Sequence, residues 1–193
     1  MALMTRIRRH APALAASLLI LVGIVATVAT KGGAAVTGSV KASIDMKDLR
    51  SVGGAATTAV IDQAISVAFT NGTGANQVTD CVTSVRSVTT GNDDMQLDAL
   101  TGPFGSVALA AWKVLLVDMR AATANVTVSR PTTAGAGLFD ADLDAMTLVP
   151  GGVLLVVNPS ATGIAIANGD TDVIRFVAAS GTQAVTVTVC GEV

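Results

Sequence analysis

The stretch GIAIANGDTDVIRFVAASGTQAVTVTVCGEV, Gly163 to Val193, decides the fold class. Three short runs rich in Val, Ile and Thr are broken at Asn168-Gly169 and Ser180-Gly181. β-Branched residues favour the pleated backbone, and Asn-Gly between such runs is the strongest short hairpin signal. Read toward the N-terminus, the same grammar repeats. DAMTLVPGGVLLVVNPS gives two runs split by Pro150-Gly151-Gly152, and ANVTVSR alternates up to Pro131. VALAAWKVLLVDMR is apolar around Val114 to Val117. A helix of period 3.6 is the alternative there, but its Val and Leu run suits a buried central strand better.

Further upstream, DMQLDAL precedes the turn TGPFG, and CVTSVRSVTT alternates before Gly91-Asn92. AISVAFTNGTGANQ reads as a strand ending in the turn residues Asn71, Gly72 and Gly74. RSVGGAATTA reads as a linker or loop, and AAVTGSVKASIDMKDL as a first strand. Roughly eight or nine short strands with frequent turn signals predict an all-β chain, an antiparallel β-sandwich or jelly roll. No repeat of fixed period points to a solenoid or propeller.

Composition narrows the function classes. Net charge is −2, so no basic surface for nucleic acid is expected. Aromatics are 3% and charged residues 13%, the latter about half the usual share. So neutral a surface suits a subunit packed against others; an average secreted domain with Thr/Ser faces is the alternative.

The N-terminal quarter obeys a different rule. Arg6, Arg8, Arg9 and His10 form a basic flank, residues 1–10, and 11–30 carry no charge. Twenty helical residues rise about 30 Å, the thickness of a hydrocarbon core. The run predicts a transmembrane helix whose anchor centre is Leu14, Leu18, Leu19, Ile20, Leu21, Val22, Gly23, Ile24 and Val25. The basic flank predicts a cytoplasmic N-terminus, with the β-domain outside the cytoplasm. A cleaved signal is the alternative, cut near Thr27-Val28-Ala29 or Gly33-Ala34-Ala35, though the apolar run is long for one. Residues 31–62 are then linker and first strand, and 63–193 the β-sandwich domain.

Catalytic chemistry is scarce. His10 is the sole histidine, so the expected β-domain has no Ser-His-Asp or Cys-His arrangement and no histidine zinc site. No catalytic, cofactor-binding or metal-binding residues are assigned, and an enzyme is not expected. Cys81 and Cys190 are a candidate disulfide in an oxidising compartment, two buried thiols being the alternative. Asp140, Asp142 and Asp144 start like a calcium loop, but Ala145 and Gly151 stand where Gly and Glu are required, so a solvated turn is expected. Asn92 to Asp94 reads as a hairpin turn, and AGAGLF at 134–139 as a flexible loop lacking a Walker lysine. Asn71 and Asn125 head formal glycosylation triplets, meaningful only in a eukaryotic secretory route.

Several pieces share an order. They are NGTGANQ at Asn71 to Gln77, Leu97-Asp98, LTGPFG at Leu100 to Gly105 and WKVLLV at Trp112 to Val117. LVPGGVLL at Leu148 to Leu155, Asp172 to Ile174 and Val185 to Gly191 complete the series. In that order they resemble small β-sandwich virion structural proteins encoded in tailed-phage genomes, over about Ser66 to Gly191. The resemblance implies a non-enzymatic capsid, decoration or tail-associated protein. Its implied partners are other virion subunits, in a homo-oligomer or hetero-assembly, besides the lipid membrane that the helix would enter. Members of that group begin directly with strands, so the apolar leader is a departure and leaves virion and membrane both open as locations. A bacterial membrane-anchored or secreted binding or adhesion module is the alternative.

Overall fold

The computed structural model describes residues 19–27, 36–52, 55–102, 105–131, 145–167 and 172–193. Every regular element among them is a strand. In chain order these are β1 (Leu19–Thr27), β2 (Thr37–Val52), β3 (Ala55–Asn71), β4 (Gln77–Val78) and β5 (Asp80–Val88). Next come β6 (Asp93–Gln96), β7 (Leu100–Gly102), β8 (Gly105–Val107), β9 (Ala111–Asp118) and β10 (Val126–Ser129). The last are β11 (Ala145–Leu148), β12 (Val153–Val157), β13 (Ile164–Ala165), β14 (Val173–Ala178) and β15 (Gln183–Glu192).

Two compact units divide the chain: Met1–Gly23 with Lys41–Ser66, and Ile24–Val40 with Val67–Val193. The first holds β2 from Lys41 and β3 up to Ser66. Backbone strand covers 50–52 and 55–59, where a linker is expected from Gly53-Gly54. The Ala, Thr and Val around that dipeptide are compatible with extended backbone. Of the apolar run 11–30, only 19–27 is described, as β1. The rest of the expected membrane helix, Leu14 and Leu18 included, lies outside the described residues. Among the described residues no helix is long and apolar enough to cross a membrane.

The second unit holds two four-strand arrays, β12-β9-β15-β5, with β13 also on β9, and β11-β10-β14-β6. All their recorded pairings are antiparallel. One core lies between them because alternation sends one side chain in two inward. The first sheet contributes Val82, Val88, Leu115, Val117, Val185, Val187 and Val189. The second contributes Met95, Val126, Val128, Leu148, Ile174 and Phe176. A smaller cluster lies on the other face of the first sheet, where Val40, Phe69 and Val78 cover Val114 and Cys190.

The connections depart from the hairpins that the turn signals predict. β13 pairs with β9, β14 sits between β10 and β6, and β15 lies in the first sheet. Neighbours in sequence therefore lie in different sheets: β5 and β6, β9 and β10, β11 and β12, β13 and β14, and β14 and β15. Asn168-Gly169 lies outside the described residues, and the strands on either side of it, β13 and β14, are not partners. The apolar alternation is satisfied equally well by facing a strand in the opposite sheet. The short β7–β8 pair is a true hairpin, with Leu100 opposite Val107.

Candidate functional site

The most unusual chemistry lies where β15 ends. β15 pairs with β9 in steady register until Cys190 faces Val114; Gly191 then faces Trp112. Two residues of β9 thus oppose one of β15, a β-bulge. Its consequence is a change of side. Leu115 and Val117 point into the main core, and strict alternation would place Lys113 with them. The bulge gives that place to Trp112 instead. Gly191 is required at this point. A Cβ there would lie 2.1 Å from the Ala111 carbonyl oxygen and 2.9 Å from Trp112 Cα.

Lys113 is 0% exposed. Its Nζ donates to the Gly74 carbonyl at 2.8 Å and forms an ion pair with the Glu192 carboxylate. A buried ammonium needs such partners, since desolvation alone costs several kcal/mol. The side chain therefore fastens the 72–76 turn to the last strand. A second tie, Asn76 N to Pro159 O at 2.8 Å, joins the same turn to the segment after β12. Sequence reading passed over Lys113, although a lone lysine between Trp112 and four apolar residues was a usable signal.

One strand pair away stand Cys81 and Cys190, which face each other in the β5–β15 register. Their Sγ atoms are 2.11 Å apart and their Cα atoms 4.0 Å apart, a disulfide between neighbouring strands. Antiparallel pairing brings together two thiols separated by 109 positions in sequence.

A cleft of about 280 Å³ opens beside β5, lined by Val82, Ser84, Arg86, Asp94, Met95, Gln96, Ala99, Leu100 and Thr101. Ser84 follows Val82 on the inward side of β5, and its Oγ is buried without a hydrogen-bond partner. Arg86, the next inward residue, donates to Asp93 at 2.6 and 2.5 Å and to the Asp94 carbonyl at 3.3 Å. Its guanidinium also lies 6.0 Å from the centre of the Phe176 ring. Asp94 accepts two bonds of 2.7 Å from Arg175, its direct partner across β6 and β14. Those bonds hold the Asp94 carboxyl below its ordinary value of 3.8, against a smaller opposing effect of burial. Among the described residues lining the cleft, the one carboxylate, Asp94, is engaged by Arg175, and the Ser84 hydroxyl and Gln96 add polar groups.

Asp93 and Asp94, expected in a turn, begin β6 and form the ion pairs just described. Cys81 and Cys190 are brought together. Asp140, Asp142, Asp144 and the 134–139 loop lie outside the described residues. Among the described residues no group of three or more His, Cys, Asp or Glu is placed to hold a metal ion. No family model matches the chain, nor does any curated protein or solved structure.

Proposed function

We propose that this chain is a structural subunit of a bacteriophage virion, as a minor capsid, decoration or tail-associated protein, with the apolar run 11–30 as its membrane anchor. Strand order carries the reading. The orders β12-β9-β15-β5 and β11-β10-β14-β6, with the chain passing repeatedly from one sheet to the other, are those an eight-stranded jelly roll would have, and they support that reading. That architecture serves viral capsid domains as well as lectins and cupins, so the fold narrows the function without fixing it. Low charge and the ordered resemblance over Ser66 to Gly191 favour the virion member of that set. Such a body acts by contact: neutral faces and strand edges meet neighbouring subunits, and specific contacts bury on the order of 1,600 Å².

One observation favours a bacterial membrane-anchored or secreted binding module instead, namely the polar cleft around Ser84. Quantitative mass spectrometry of purified virions and of cell envelopes separates the two. A fixed stoichiometric copy number in virions supports the subunit reading. Enrichment in envelopes with none in particles refutes it.

A further inference from the structure

We infer that β12 is a contact strand through which two copies of this chain join edge to edge, about a two-fold axis at Leu155. The strand is VLLVV, with no charge, hydroxyl, Gly or Pro, and all five residues are half-buried. Among the described residues its recorded pairing is to β9 alone. The other outer strands carry polar side chains: β5 has Asp80 and Arg86, β6 has Asp93 and Asp94, and β11 has Thr147. Such residues protect an edge from uncontrolled pairing, and β12 lacks them.

Hydrogen-bond parity shows what the bare edge offers. Gly152 O accepts from Met119 N at 2.9 Å, and Asn158 N donates to Lys113 O at 2.7 Å. These bonds bracket the ladder, so the even residues Leu154 and Val156 turn their backbone groups toward β9. Val153, Leu155 and Val157 turn theirs outward. The outward set reads Val, Leu, Val, which is the same in both directions. Antiparallel pairing with a second β12 places Leu155 opposite Leu155, and Val153 opposite Val157. Every outward residue then exchanges both of its N–H···O bonds. Gly151, whose N–H is taken by the Met119 carbonyl, on one side and Pro159, which has no N–H, on the other limit the ladder to this register. Isologous pairing of this kind uses up both edges and closes. Met146, 42% exposed, and Val149, 58% exposed, lie on the strand and turn leading into β12 and extend its apolar flank.

The test uses the full chain in mild detergent. Leu155→Cys is expected to give a covalent dimer under mild oxidation, with Cys81–Cys190 intact by peptide mapping. Val153→Cys alone is expected to give none, because its copies would stand several residues apart. A mixture of Val153→Cys and Val157→Cys chains is expected to cross-link. Leu155→Lys, checked for retained β-sheet circular dichroism, should weaken dimerisation at least tenfold in sedimentation velocity. Equal cross-linking of Val153→Cys and Leu155→Cys, no cross-linking of either, or unchanged dimerisation of Leu155→Lys would overturn the inference. Capture of a different extended peptide on β12 of a monomer would overturn it too. None of these results depends on the presence of the chain in virions.

Discussion

Removing the disulfide is the perturbation whose size follows most directly from the structure. Cys81 and Cys190 close a loop of 109 positions, from the start of β5 to the end of β15. In the loop-entropy description, cross-linking a loop of that length costs the unfolded chain about 16 cal/mol/K, or about 4.8 kcal/mol at 25 °C. For a body of this size about 3 °C of melting temperature accompanies each kcal/mol, so a fall of about 15 °C is expected. The assay is scanning calorimetry on the native chain, on Cys81→Ala, on Cys190→Ala and on the double variant. Each single variant should lose nearly the full amount and the double little more, because either change opens the same loop. The register of β5 on β15 rests on eight further residue pairs, so the folded sheet should persist in all variants. A fall of less than about 4 °C in the double variant would refute the reasoning, as would losses from the singles that add. The first outcome would mean that the unfolded chain is already confined without the bond, the second that the two side chains act separately and not through one shared loop.

Three further predictions follow from the geometry. Gly191→Ala should destabilise by about 3 kcal/mol or more in urea, since its Cβ would meet backbone atoms of Ala111 and Trp112. Gly105→Ala, whose new Cβ would meet nothing within 4 Å and whose cost is the positive φ of 126° alone, should lose about 1–3 kcal/mol. Lys113→Met should cost about 3 kcal/mol, because Glu192 and the Gly74 carbonyl lose their cation. The Lys113→Met/Glu192→Gln double should lose less than the sum of the singles in a denaturant cycle, and additive losses would contradict a coupled pair. Asp94 is held below 3.8 by Arg175, and Asp118 is lowered likewise by Arg120. The unfolded chain thus binds protons first as pH falls, so this stability is complete above about pH 5 and is lost progressively as pH falls below the ordinary carboxylate value of 3.8. Urea midpoints of Asp94→Asn should vary less over that window than those of the native chain; equal slopes would count against the Arg175 contact as their source.

Much of the body was legible before any coordinates. Alternation in CVTSVRSVTT and the Val-Leu run of Val114 to Val117 marked β5 and β9, because burial on one sheet face is written directly into a period of two. Pro150-Gly151-Gly152 marked the break between β11 and β12, where Gly151 adopts a φ of 82°. The candidate site was far less legible. Lys113 was passed over, and strict alternation would have put it on the core side, since a bulge leaves no signature in the strand that bears it; the relevant residue, Gly191, lies 78 positions downstream. Ser84 looked like any polar residue of an alternating strand, and its burial depends on β6 and β7 closing over it.

By itself the amino-acid order settled the extended character of the body, some of its breaks, Pro150-Gly151-Gly152 among them, and its lack of histidine after His10. Each of these depends on a residue and its near neighbours. Which strand lies beside which was decided only by the tertiary structure. Hairpin partners and strands crossing between sheets satisfy the same local alternation. They differ only in how the apolar faces of distant segments fill one shared interior, and that packing selects among pairings which the backbone alone would allow.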